Sequence, residues 1–364
     1  MKTAVVVAGT RPEVIKLAPV IMMAQDAYRQ QLLVRLCLTG QHASLAQEAL
    51  AIFKIQPDVD LHIMREGQSI NDVGRAVFEA LPTVLERFKA DLVVVQGDTT
   101  TAATSALCAF HLNIPVAHIE AGLRSHNLHA PFPEEANRKV IATIASYHFC
   151  PTVSARENLL SESVPEGNIH VTGNTVVDAL EYMRRTCALD DVRSVVPNLQ
   201  GPFVLVTAHR RESFGTGLQH ICRAIQTCAR QFPDRQFVYP VHLNPNVRDP
   251  VMELLDNIKN VSLIKPVSYL QLLTLLKHCE FVLTDSGGIQ EEAPTFGKYC
   301  IVLRDVTERM ESVRLGISEL VGTDVDKIVT AVSKAMDSKQ RKIPTVNPYG
   351  DGKASGRILE VLCR

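Results

Sequence analysis

A chain of 364 residues, 46% hydrophobic and 21% charged, has the length for two domains and the profile of a globular protein. Its net charge of −1 excludes a global basic field for nucleic acid or an anionic membrane. Nine singly scattered cysteines without a C-x-x-C pair, and twelve histidines without an H-x-x-x-H pair, argue against a disulfide framework and a metal site.

Reduced thiols of this kind predict a cytoplasmic protein. No apolar run is long enough for a bilayer, and the first strand follows a single lysine with no cleavage site, unlike a signal peptide. In chain order, short β-branched runs alternate with amphipathic stretches. Strands are predicted at 3–8, 33–39, 92–96, 116–120, 148–150 and 169–172, and helices at 14–27, 44–53, 70–89 and 100–112. Near Gly173 the pattern restarts, with strands at 203–208, 236–241, 261–265, 281–284 and 299–303. Continuous apolar strands separated by helices predict parallel sheets covered on both faces. The expected architecture is α/β, with two doubly wound domains, 1–172 and 173–351, and a last helix at about 352–364 packing back on the first. Residues 188–201 read as a surface loop. Two such halves predict a cleft facing the carboxyl ends of the strands.

Five of those strand ends are polar. The stretch "TDSGGIQEEAP" ends a strand and opens a helix, so Gly287 and Gly288 let backbone N–H groups approach an anion, with the hydroxyl of Ser286 beside them. Glu292 is a candidate acceptor for ribose hydroxyls. An ordinary N-cap at Asp285 or Ser286 is the alternative. In "TAHRRESFG", His209 is a candidate to protonate or stabilise a leaving phosphate, and Arg210 or Arg211 to clamp a diphosphate or to pair with Glu212. Asp98, Glu120 and Glu134 are carboxylates suited to acid–base work on a sugar. Asp98 can also be a helix cap, and Glu134 and Glu135 can be first-turn acids, Glu135 above all. The first turn, "VVVAGTRPEVIK", has Gly9 but neither glycine fingerprint, and no redox cofactor is expected. Arg11 and Lys16 stand there as charged side chains where glycines usually sit, and Glu13 reads as an acid complementing the helix dipole. His118, His148 and His242 have weaker context, His242 being a candidate to line the cleft.

Taken together, "GTRPEVIKLAP", "TGQH", "QGDTTT", "HIEAGLR", "PFPEEANR", "TGNTVVDAL", "TAHRRESFG", "DSGGIQEEAP" and "LVGTD" resemble the non-hydrolysing UDP-N-acetylglucosamine 2-epimerases, in the same order along the chain. The resemblance implies a GT-B-type fold of two Rossmann-like domains, UDP held mainly by the second, and a homodimer. It places Lys16, Asp98, Glu120, Glu134 and His209 around the sugar and leaving group. It places Arg11, Arg138, Ser286, Gly287, Gly288 and Glu292 around UDP, with Gln68 and Arg210 as further substrate contacts. The implied reaction is reversible C2 epimerisation of UDP-N-acetylglucosamine through 2-acetamidoglucal, with no cofactor. Alternatives are a modified UDP-acetamido sugar, a UDP-sugar glycosyltransferase, or a silent nucleotide-sugar sensor. Three departures stand out. Met310 replaces proline in "TERME", and His126-Asn127 follows "AGLRS". Gln41-His42-Ala43-Ser44 and Gly67-Gln68 replace the turn that binds an activating second substrate, which predicts weak or absent activation.

Overall fold

The computed structural model describes residues 1–40, 43–63, 65 and 67–364. Of the residues behind the activator reading, Gln41 and His42 lie outside the described residues. The chain divides into two units, Met1–Met183 with Tyr349–Arg364, and Arg184–Pro348.

In the first unit the described strands are β1 (Lys2–Ala8), β2 (Leu32–Leu38), β3 (Val59–Asp60), β4 (Leu92–Gln96), β5 (Val116–Ile119), β6 (Tyr147–Cys150) and β7 (Ile169–Val171). They form one sheet in the order β3-β2-β1-β4-β5-β6-β7. The second unit has β8 (Phe203–Thr207), β9 (Gln236–Pro240), β10 (Val261–Ile264), β11 (Val282–Thr284), β12 (Cys300–Val302) and β13 (Ser318–Leu320), in the order β10-β9-β8-β11-β12-β13. The pairings are parallel in both sheets. Each is a Rossmann-like sheet whose strand order reverses beside its first strand, at β1/β4 and at β8/β11.

The central strands read as continuous apolar runs because helices cover both faces. Ala4 to Ala8 are all buried, as are Val93 to Val95 and Phe203 to Val206. The last helix, Ala354–Leu362, packs in the first unit against the helix Arg11–Asp26; a Cβ on Gly356 would lie 3.7 Å from Met23 Sδ. Asp178 accepts from the backbone N–H groups of Ala354 (3.2 Å) and Ser355 (2.8 Å), satisfying donors that a helix start leaves unpaired.

Three expectations need correction. Edge strands β3 and β13 were not expected, since two or three residues are too short to show a period. The expected loop at 188–201 contains a short helix, Val192–Val195, capped where Asp191 accepts from Ser194 N. The strand expected to include Glu120 ends at Ile119, because Glu120 takes φ +68 and Gly122 follows at φ +88. Only glycine fits there: a Cβ would sit 2.2 Å from the carbonyl oxygen of Ala155.

Candidate active site

In the first unit, a carboxylate rather than a glycine loop holds the turn after β1. Glu13 is 1% exposed. Its Oε2 accepts from Gly9 N (3.0 Å), Thr10 N (2.7 Å) and Thr10 Oγ1 (2.8 Å). Its Oε1 accepts from Thr99 Oγ1 (2.8 Å), in the turn after β4. Burial pushes this carboxyl above its ordinary range, and the bonds from Thr10, Thr99 and Gly9 oppose that push. Glu13 stands in the first turn of its helix, as expected of an acid complementing the helix dipole, and it is in addition an interior acceptor bridging two turns.

Thr99, not Asp98, caps the helix Thr100–His111, by accepting from Ala102 N at 3.0 Å. The Asp98 carboxylate instead meets Arg138, whose Nε and Nη2 lie 2.9 and 2.7 Å from Oδ2. Asn137 Nδ2 donates to the Asp98 carbonyl at 2.8 Å. Arg138 also donates to Glu135 at 3.1 Å. Glu135 is a first-turn acid as expected, but it is 0% exposed and accepts from the N–H groups of Ser125 and His126, so it also anchors a loop from inside. His126, one of the departures, enters this anchor through its backbone alone. Glu134 opens the helix Glu134–Ile144 and is half-buried.

On the next strand over, Glu120 Oε2 accepts from Lys16 Nζ and from Gln96 Nε2, each at 2.5 Å, with Lys16 and Glu120 both 8% exposed. Asp98 and Glu120 thus follow hydrogen-bonded neighbours, β4 and β5, each held by a cation from a helix. Arg11 is half-buried at the start of its helix. Gln68 engages its own loop, accepting from Arg65 N (2.8 Å) and donating to the Ile63 carbonyl (2.9 Å). His118 and His148 are register partners on β5 and β6. Burial pushes them down to about 3 and about 4, so they are neutral core residues, and His118 Nε2 braces the carbonyl of Gly97 at 2.7 Å.

In the second unit, Asp285 is 0% exposed and its Oδ2 accepts from the N–H groups of His209 and Arg210, both at 2.7 Å. Its Oδ1 stands 3.8 Å from His209 Nδ1. Burial raises Asp285, opposed by His209 and the two N–H groups. The surrounding protein lowers His209, opposed by Asp285, while an edge of its ring stays exposed. His242 stacks on that ring, centroids 5.6 Å apart and planes 12° off parallel.

The helix Gly287–Glu292 begins after Ser286, whose side chain makes no capping bond. Ser286 thus holds the N-cap position without a side-chain cap, and the carboxylate of Asp285 is turned to His209 and Arg210 instead. The guanidinium of Arg309 lies against Gly287, where a Cβ would come within 2.7 Å of Nη1. Arg309 pairs with Glu291 (2.7 Å) and Glu308 (2.5 Å), Glu308 with Arg304 (3.3 Å), and Arg304 with Glu212 (2.5 Å). Arg304 is therefore an ion-pair partner of Glu212 that local sequence does not reveal. Glu292 accepts from Tyr269 Oη at 2.9 Å. Sequence reasoning missed Gln96, Asp285 as a tie, Arg304 and Arg309. Arg309 lies inside "TERME", a stretch whose charge density was a signal available in advance. Met310 is the first residue of the helix Met310–Arg314, where proline is tolerated because the N–H has no intrahelical partner.

Among the described residues no helix is long and apolar enough to cross a membrane. The profile of a family described as UDP-N-acetylglucosamine 2-epimerase matches residues 25–363. A UDP-N-acetylglucosamine 2-epimerase of Yersinia pestis is 48% identical, over 98% of this chain and 97% of its own. The structure of a UDP-GlcNAc 2-epimerase from Neisseria meningitidis bound to UDP-GlcNAc superposes with TM-score 0.94 at 43% identity, covering 100% of this chain and 99% of that one. One from Methanocaldococcus jannaschii, in complex with UDP-GlcNAc and UDP, gives TM-score 0.87 at 34% identity, with 100% and 99% covered. The GT-B-type class of two Rossmann-like units therefore holds, and this chain belongs to the UDP-N-acetylglucosamine 2-epimerase family.

Proposed function

We propose that the chain reversibly converts UDP-N-acetylglucosamine to UDP-N-acetylmannosamine without hydrolysis, as a cytoplasmic homodimer that needs no cofactor and responds weakly or not at all to an activating second substrate. The observation that carries this reading is the pair of cation-held carboxylates, Asp98 with Arg138 and Glu120 with Lys16, after adjacent strands. The relatives solved with UDP-GlcNAc or UDP support the substrate class.

The C2 proton of the sugar is not beside a carbonyl, so it needs another source of acidity. The C1–O bond breaks and its electron pair leaves with UDP. Positive charge at C1 makes the C2 proton removable, and its transfer to a carboxylate leaves the C1–C2 double bond of 2-acetamidoglucal. Return of a proton to the opposite face, then of UDP to C1, completes the inversion. One base would return the proton to the same side, so two opposed groups are required, and Asp98 and Glu120 are assigned to them. Glu134 stabilises the cationic centre. His209, braced by Asp285, protonates or stabilises the leaving diphosphate together with Arg11 and Arg210. Ser286, Gly287 and Gly288 receive phosphate oxygens and Glu292 the ribose, while Arg138 orients Asp98 and Gln68 borders the substrate.

The test is incubation with UDP-N-acetylglucosamine in D2O followed by NMR. Deuterium at C2 of UDP-N-acetylmannosamine is expected. Free N-acetylmannosamine would make the chain a hydrolase, and absence of exchange would sink the elimination mechanism.

A further inference from the structure

Glu13 is the one charged side chain of the first turn that the proposed chemistry does not use. Yet it is almost wholly buried and accepts four hydrogen bonds, three at Oε2 and one at Oε1. Its partners belong to two chain segments that the fold brings together at the strand-order reversal, the point where open α/β sheets place their ligands. On one side is the turn that leads into Arg11. On the other is Thr99, whose hydroxyl donates to Glu13 and accepts from Ala102 N, so that it has one orientation. Asp98 is the residue before Thr99, and its own carboxylate and carbonyl are held by Arg138 and Asn137. The Asp98 turn is thus gripped from two directions, by the helix Glu134–Ile144 and by Glu13.

We infer that Glu13 is a positioning residue for proton transfer: it locks the turn after β4 to the turn after β1 and thereby sets where the Asp98 carboxylate stands. The inference rests on the proposed role of Asp98 in proton transfer. A carboxylate suits the task because it accepts at both oxygens and donates at neither. Glutamine would turn an N–H₂ toward either two backbone N–H groups or the Thr99 hydroxyl. Aspartate is one methylene too short to reach both turns.

The experiment compares the unaltered protein with Glu13→Gln, Thr99→Val and Thr99→Ser, measuring C2 deuterium exchange at saturating substrate and the Kd for UDP by calorimetry. Exchange by the unaltered protein is read first; its absence would count against the proposed function and not against the role of Glu13. With exchange established, Glu13→Gln and Thr99→Val are expected to lower its rate roughly 10- to 100-fold, the scale of a misplacement near 1 Å. For Thr99→Val, which leaves the turn before Arg11 tied to Glu13, the Kd for UDP is expected to stay within about twofold, a shift under roughly 0.5 kcal/mol. Thr99→Ser, which keeps the hydroxyl, is expected to restore the rate. If Glu13→Gln does not fold, Thr99→Val against Thr99→Ser decides alone. Three results would overturn the inference: exchange at the unaltered rate, a serine variant as slow as the valine one, or, in Thr99→Val, a loss of UDP affinity matching the loss of rate.

Discussion

The turn after β1 and the turn after β8 occupy the same place in the same topology, each following the strand beside which the order reverses. Each offers two successive backbone N–H groups to one buried carboxylate: Gly9 and Thr10 to Glu13, His209 and Arg210 to Asp285. The acids come from opposite directions. Glu13 belongs to the helix after the first strand and reaches forward to Thr99, whereas Asp285 belongs to the turn after β11 and reaches back. Both ties satisfy polar backbone that the fold buries at the reversal point, and that requirement does not dictate which side supplies the acid. The choice has a chemical consequence. In the first unit the turn after β4 keeps its carboxylate, Asp98, for Arg138. In the second the corresponding acid is consumed by the tie, and a histidine stands on the β8 turn beside it.

Acid provides the strongest way to break the comparison. The first unit holds His118 and His148 neutral, pushed by burial to about 3 and about 4, whereas in the unfolded chain they protonate near 6.5. Their contribution to stability is therefore intact above pH 6.5 and falls as pH drops toward those values, because the unfolded state binds the extra protons. Each tenfold rise in proton concentration below pH 6.5 favours the unfolded state by roughly 1.4 kcal/mol per histidine, so the two together cost on the order of 4 kcal/mol by pH 5. Amide protection factors, which remove the intrinsic pH dependence of exchange, are expected to fall in β4, β5 and β6 before β8, β9 and β11 between pH 6.5 and 5. Earlier loss of protection in the second sheet would contradict this. Next in size is Asp285→Ala, which strips two N–H groups of their acceptor. A loss of about 2–4 kcal/mol in urea unfolding is expected, together with weakened UDP binding. Retained UDP affinity would separate the two ties in function and remove the nucleotide from the β8 turn. The smallest effect is that of Gly287→Ala, whose methyl displaces Arg309. We expect KM to rise roughly tenfold, about 1.4 kcal/mol, with kcat within about twofold; an unchanged KM would mean that Arg309 yields without moving the turn.

Much of the molecule was legible in the chain. Strands buried on both faces read as continuous apolar runs, as in Val5–Ala8 and Val93–Val95, because a parallel sheet has no solvent face to impose alternation. The polar strand ends at Asp98, Glu120, His209 and Ser286 stood out for the same reason, as breaks in apolar runs where the backbone leaves the sheet. The edges β3 and β13 did not, being too short for any period. The need for glycine at 122 was not legible either, since it comes from a left-handed turn and from the approach of Ala155, 33 positions away, which admit no Cβ. Only tertiary structure decided the buried acids and their partners. Glu13 and Glu135 read as nothing more than first-turn acids until the fold brings Thr99 to one and Ser125 and Arg138 to the other. Arg304 finds Glu212 across 92 positions of sequence, and Lys16 finds Glu120 across 104. Charge and spacing are local properties of a chain, whereas desolvation and pairing depend on which distant segment fills the adjoining space.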